Sequence, residues 1–270
     1  MSASAPPHYL HWINAFTTGA WHSGNTAAVV RTRQPLSEEK MQLLAIQHQV
    51  AETAFVYPLD ERQHEYALRW FSPVTEVDLC GHATLAAAHV LLPAEQEAHS
   101  ILFRTRKAGQ LVAWREQGRI GLTLPAQPQS PLTVIPSLAR QMAGPGLVDA
   151  LLGEDLLLVF DDPDRVLNFQ PDSAQILRLP GRGLVITAPG LAEFDFISRF
   201  FAPRLGIAED AATGSAHCAL GPYWSARLNR QRLRGWQASS RGGDIEVETL
   251  GHQVRLWGQC QTYSHGPILV

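Results

Sequence analysis

Glu52 stands where a helical stretch gives way to the apolar run Thr53-Ala54-Phe55-Val56-Tyr57. A carboxyl group closed off from water is disfavoured as an anion. Such a group can take a proton from one carbon and return it to another. Two further stretches carry candidate chemistry. In Asp78-Leu79-Cys80-Gly81-His82-Ala83-Thr84, a glycine and an imidazole open an apolar helix. In Asp210-Ala211-Ala212-Thr213-Gly214-Ser215-Ala216, a glycine and a hydroxyl do the same. Gly81 and Gly214 let backbone N–H groups approach a ligand closely, and a helix N-terminus favours negative charge. Two such ends can grip both sides of a small anion. His82 can donate to a substrate or orient it, Asp210 can hold an imidazole or an amine, and Ser215 can bond a carboxylate. Asn25, in Ser23-Gly24-Asn25, can line the same cleft. Each has a plainer use: Glu52 capping local backbone, His82 contacting backbone, Asp210 and Asn25 making turns, Ser215 as an N-cap. Ser215 is not in a GxSxG elbow, so a hydrolase nucleophile is rejected.

The elements that position these residues repeat. Arg69-Trp70-Phe71-Ser72-Pro73 precedes the first stretch and Arg199-Phe200-Phe201-Ala202-Pro203 the second. Pro73 stands eight residues before Gly81, and Pro203 eleven before Gly214. A repeat near half the chain length argues for two similar lobes. The stretch from Ala83 to Leu92 is apolar nearly all round, so it must be enclosed on every side, most simply by a curled sheet. The fold class expected is α+β, two pseudo-symmetric lobes, each a barrel-like mixed sheet around a central helix. The first lobe spans 1–124. Pro125 to Pro131, with three prolines in seven residues, is the linker candidate. The second lobe runs 125–260, and a final strand at about 261–270 can join either.

Other elements follow from local pattern. Residues 1–7 are expected to be a loose tail. Strands are expected at 8–16, 26–30, 51–57, 65–71, 101–105, 110–115 and 119–124, and Ser37 is placed to cap a helix from Glu38 to Gln49. In the second half short helices are expected at 138–142 and 147–152. Strands are expected at 156–160, 166–169, 183–188, 194–201, 236–241, 244–249 and 254–259. Gly221-Pro222 should kink or split the helix that contains His217 and Cys218, both expected to pack inside it.

Composition narrows the function classes. The 270 residues are 45% hydrophobic and 17% charged, with a net charge of −3, which gives no reason to expect nucleic acid or a membrane as partner. The first residues lack the pattern of a signal peptide. Three cysteines, Cys80, Cys218 and Cys260, fit reduced thiols in the cytoplasm better than a disulfide framework. Neither they nor the scattered histidines have metal-ligand spacing, so no metal is expected.

These residues together resemble the phenazine-biosynthesis isomerase-like family, whose fold is that of diaminopimelate epimerase. The resemblance rests on Ser23-Gly24-Asn25, Ala51-Glu52-Thr53-Ala54-Phe55, Cys80-Gly81-His82-Ala83-Thr84, Glu209 through Cys218, and Gln237-Ala238-Ser239-Ser240-Arg241-Gly242-Gly243. It implies an active site between two lobes, a cofactor-free isomerase and often a homodimer, and the paired helix starts add the expectation of a small anionic metabolite as substrate. By motif position it makes Glu52 the acid/base, with His82, Asp210 and Ser215 completing the site and Gly81 and Gly214 supplying backbone donors. Ala211 stands where that family usually has proline, which loosens the turn carrying Asp210. Relatives of the fold that racemise amino acids use two thiols. Here the repeat sets Cys80 opposite Thr213, and a hydroxyl is too weak an acid to replace a thiolate. An amino-acid racemase or epimerase is therefore the second expectation, and a non-catalytic ligand-binding or interaction protein the third.

Overall fold

The computed structural model describes residues 8–60, 64–92 and 100–270; the expected tail at 1–7 lies outside them. The chain divides into two compact units, one made of residues 1–123 and 257–270, the other of residues 124–256.

In chain order, the first unit contains β1 (His8–Thr17), β2 (Asn25–Thr32), α1 (Glu38–His48), β3 (Thr53–Asp60), β4 (Glu65–Phe71), β5 (Glu76–Val77), α2 (Gly81–Leu91), β6 (Ser100–Thr105), β7 (Gln110–Glu116) and β8 (Arg119–Pro125). The second contains β9 (Ser130–Pro131), α3 (Ser137–Ala143), β10 (Leu147–Leu152), β11 (Leu156–Phe160), α4 (Pro163–Leu167), α5 (Ser173–Ile176), β12 (Leu184–Pro189), β13 (Phe196–Ala202), β14 (Ile207–Asp210), α6 (Gly214–Leu228), β15 (Arg232–Gln237) and β16 (Gly243–Leu250). The last strand, β17 (Gln253–Ile268), runs unbroken back into the first unit.

In the first unit the pairings form a closed circuit: β17 with β1, β1 with β2, β2 with β3, β3 with β4, β4 with β6, β6 with β7, β7 with β8, and β8 with β17. The pairs β2–β3 and β4–β6 are parallel and the other registered pairs antiparallel, so the sheet is mixed. A closed sheet leaves no open edge, and its interior must be filled. The filler is α2, every residue of which from Gly81 to Ala88 is buried. Its small side chains permit that: Ala83, Ala86, Ala87 and Ala88 let strands approach on all sides. Outside this barrel, α1 lays Met41, Leu44 and Ala45 on the sheet, and Ser37 caps it by accepting from Lys40 N. The β7–β8 hairpin turns through Gln117 and Gly118, both at positive φ, the requirement of a tight two-residue turn.

In the second unit β9, β10, β11, β12, β13, β15 and β16 are paired in succession, with β14 set against β13. Here α6 packs on β15 and β16. It is one continuous helix of 15 residues with Pro222 inside, so the expected split does not occur. Proline has no N–H for the carbonyl four residues back, and that carbonyl, Cys218 O, instead accepts from Gln127 N at 3.0 Å. The proline-rich segment is thereby tied to the helix, and Ser130–Pro131 pairs with β10.

Two expected elements are corrected. Residues 147–152 form a strand and not a helix, because they fold back antiparallel on the wholly buried β11 through the Gly153 turn. Residues 163–167 form a helix where a strand was expected at 166–169: Asp162 accepts from Asp164 N at 2.9 Å and Pro163 takes the first helical position, a start signal that outweighs the apolar run after it. The strand expected from Trp236 is β15, which begins at Arg232 and ends at Gln237.

Candidate functional site

Four of the expected residues meet in the first unit. Asn25 opens β2 directly after Gly24, whose φ of +74° and lack of a side chain are both needed: a Cβ there would lie 2.4 Å from Ala15 O. Ser23 braces the turn, its hydroxyl donating to Ala20 O at 2.6 Å and accepting from Thr18 N at 2.9 Å. Glu52 directly precedes β3, and its carbonyl accepts from Ala28 N at 3.3 Å. His82 is the second residue of α2, behind Gly81. Its ring joins the others: Nε2 lies 3.3 Å from Glu52 Oε2, Nδ1 lies 3.3 Å from Asn25 Nδ2, and Nδ1 lies 3.5 Å from Cys80 Sγ. The Glu52 side chain is 15% exposed and that of His82 6%. The Nε2–Oε2 contact has the distance of an ion pair without hydrogen-bond alignment, since Nε2 makes no hydrogen bond. Where the Asn25 amide donates to Nδ1, the ring proton sits on Nε2 and faces Glu52.

Glu52, Cys80 and His82 also bring a carboxylate oxygen, a sulfur and a ring nitrogen within 4.8 Å of one another, a donor set that residue spacing did not announce. The thiol, however, meets Nδ1 and the carboxylate meets Nε2.

In the second unit, Asp210, Thr213, Gly214 and Ser215 gather at the start of α6. Thr213, not Ser215, is the N-cap residue. Its hydroxyl donates to Asp210 Oδ2 at 2.5 Å, and Ala211 N donates to Asp210 Oδ1 at 3.1 Å. A proline at 211 could not make the second bond, so Ala211 supplies Asp210 with a donor. The turn is held from behind by Gln237, which is wholly buried. Its Oε1 accepts from Thr213 N at 2.8 Å, and its Nε2 donates to Asp210 O at 2.8 Å and Thr213 Oγ1 at 3.0 Å. Ser239 Oγ adds a bond to Ala211 O at 2.7 Å, and Gly243 packs so close that a Cβ would lie 2.6 Å from that of Ala212. Ser215 Oγ, inside the first turn, accepts from Arg182 at 3.2 Å. Arg182 also grips the buried Asp155 through two bonds, of 3.1 and 2.7 Å. Burial works against this guanidinium's charge, but Asp155 with Glu154 and Asp210 holds its pKa above the ordinary arginine value.

His217 and Cys218 lie buried inside α6, as expected. His217 Nδ1 contacts Thr213 O at 2.8 Å, and burial pushes its pKa down to about 4. Burial pushes the thiols of Cys218 and Cys260 up to about 12.

Sequence reasoning missed the work of Gln237 and Arg182. Gln237 had a legible signal: it follows Leu233 and Gly235 on the inward face of β15, where a glutamine must find partners. Arg182, in a loop between two glycines, had none.

An α+β fold of mixed sheets around buried helices, with paired glycine-led helix starts, defines a narrow class of protein. The family model described as "Phenazine biosynthesis-like protein" matches residues 13–266, and the chain belongs to that family. It is 42% identical over 260 residues to an "uncharacterized isomerase" of Pseudomonas aeruginosa, covering 96% of this chain and 97% of that one. A solved structure of the PhzF family from Enterococcus faecalis matches with a TM-score of 0.89 at 35% identity, over 97% of this chain and 99% of that one. A hydroxyproline epimerase from Agrobacterium vitis matches with a TM-score of 0.62 at 10% identity, over 96% and 91%, and shares the fold alone. No helix among the described residues is long and apolar enough to cross a membrane.

Proposed function

We propose that this protein is a cofactor-independent isomerase that moves a proton between carbons of a small carboxylate-bearing metabolite, with Glu52 as the single acid/base. The observation that carries the reading is the Glu52 carboxylate, largely withdrawn from water, 3.3 Å from His82 Nε2 at the start of α2. Side-chain carboxylates accept and return protons efficiently when held in place, and His82 Nε2 lies beside this one. The α2 start offers backbone donors at Gly81 to the substrate's carboxylate or to the charge that develops when a proton leaves carbon. Asp210, Gly214 and Ser215 are proposed to bind the same substrate, and Asn25 to fix the tautomer of His82. The isomerase name of the Pseudomonas relative supports the reaction class. A two-thiol racemase is the weaker reading, because the residue matching Cys80 is Thr213, whose hydroxyl proton is donated to Asp210. A homodimer in the cytoplasm belongs to the same proposal.

The test begins with thermal-shift screening of small carboxylate metabolites, since a ligand that binds the folded state raises the melting point. The hit is then followed by NMR in deuterated water. Glu52→Gln should keep binding but lose deuterium incorporation and turnover by roughly 10²- to 10⁴-fold. Wild-type turnover in that variant would refute the assignment.

A further inference from the structure

Cys80 is the N-cap residue of α2, with extended backbone and no hydrogen bond from its side chain to the helix it caps. Its sulfur instead lies 3.5 Å from His82 Nδ1, and the opposite ring nitrogen lies 3.3 Å from Glu52 Oε2. A thiol, an imidazole and a carboxylate thus stand in series. This is the arrangement in which a nucleophile meets a base that is itself oriented by a third group. The helix that begins here is 11 residues long, and thiolates are favoured at helix N-termini beside an imidazole. We propose that Cys80 is a nucleophilic thiol, activated by His82 with Glu52 behind it, and the site at which small carbon electrophiles modify this protein.

The sulfur contacts His82 Nδ1 on α2, Asn25 on β2 contacts that same nitrogen, and a carboxylate oxygen of Glu52 at the head of β3 lies within 4.8 Å of the sulfur. The charged groups of β1 and β7 that adjoin α2 lie towards its other end, where Arg115 donates to Leu92 O and influences His89 along with His11. Asp78, two residues before Cys80, is paired with Lys107 at 2.6 Å on the surface. In the reaction the thiol proton passes to His82 Nδ1 and the sulfur lone pair forms the S–C bond. The carbon–halogen bond breaks, and halide leaves with its electron pair. Asn25 then turns its amide oxygen to the protonated Nδ1. The same chain carries its own control in Cys218, which is 2% exposed against 7% for Cys80 and whose thiol burial pushes up to about 12.

The inference needs no substrate and stands or falls apart from the isomerase reading. Folded wild-type protein is treated with iodoacetamide from pH 5 to 10, and labelling at each cysteine is timed by peptide mass spectrometry. Cys80 should label with a rate–pH midpoint below that of a free thiol, about 8.5, while Cys218 stays unlabelled. His82→Asn should move the midpoint up to that of a free thiol and slow labelling at pH 7 by about tenfold per unit moved. Glu52→Gln should move it the same way by less. No labelling of Cys80 in the folded protein would overturn the proposal, as would a free-thiol midpoint that His82→Asn leaves in place. Should His82→Asn unfold, all three cysteines would label together, and the wild-type and Glu52→Gln profiles decide.

Discussion

Replacing Gln237 by leucine tests whether the turn before α6 is built as described. Leucine fills nearly the same volume on the inward face of β15, so the loss is one of hydrogen bonds and not of packing. The wild-type amide makes three bonds, to Thr213 N, Asp210 O and Thr213 Oγ1. Thr213 Oγ1 keeps its bond to Asp210 Oδ2, so the loss falls on two backbone groups that each lose the Gln237 partner. A buried polar group without a partner costs about 1–3 kcal/mol, which gives a loss of about 2–6 kcal/mol. At roughly 2–4 °C per kcal/mol for a domain of this order of size, the melting transition should fall by at least about 4 °C. Calorimetry measures that fall, and hydrogen exchange at Thr213 N localises it. Gln237→Glu separates the two roles, since a carboxylate still accepts from Thr213 N but cannot donate to Asp210 O. It should keep the Thr213 amide protected while stability drops. A loss below about 1 kcal/mol in the leucine variant, with Thr213 N still protected, would refute the reasoning.

Two further outcomes follow from the same geometry. Gly24→Ala places a methyl 2.4 Å from Ala15 O at a φ of +74°, and should cost about 1–3 kcal/mol in urea unfolding; a neutral result would mean the Ser23–Asn25 turn is not rigid. His217, wholly buried, has its pKa lowered to about 4, below that of an unfolded histidine at about 6.5. The unfolded chain therefore binds the extra proton first as pH falls, and stability is lost from about pH 6.5 down to about 4 and then levels. The size is about 3–4 kcal/mol at 1.4 kcal/mol per pH unit. Melting followed against pH should show this slope in wild type and a flatter one in His217→Asn. Equal slopes would remove His217 as its source.

Much of this arrangement was legible because the relevant signals are local. Ser37 before Glu38, the glycines at 24, 81 and 214, and the apolar run after Gly81 each declare an element without help from distant residues. The errors arose where two local signals compete. Asp162-Pro163-Asp164 announces a helix, but the apolar residues after it suit a strand equally well, and the start signal wins because it satisfies an otherwise orphaned amide. Leu147 to Leu152 fits either period, and only pairing with β11 decides it. Pro222 was expected to kink or split α6 because proline orphans a carbonyl, and no local rule could show that Gln127, far back in the chain, would supply the missing N–H. The site divides in the same way. The identities of Glu52 and His82 follow from motif, whereas the approach of Cys80 to the back of the His82 ring depends on side-chain direction, which spacing does not give.

The two helix starts show how one scaffold holds different chemistry. Cys80 and Thr213 are the N-cap residues of α2 and α6, with φ,ψ of −139°, 112° and −119°, 103°. Neither side chain caps its own helix, although threonine is well suited to do so. A capping side chain would occupy a first-turn N–H. Here the two side chains are turned to other partners, Cys80 to His82 and Thr213 to Asp210. Forgoing a cap costs about 0.5–2 kcal/mol per helix, and the interior packing of α2 and the Gln237 clamp on α6 offset it. What the fold keeps in exchange is a pair of helix ends whose first-turn N–H groups no N-cap side chain occupies, and such groups favour an anion. On this argument, installing a capping aspartate at position 80 should stabilise the first unit and weaken binding of any carboxylate there, a combination that a purely structural helix start would not produce.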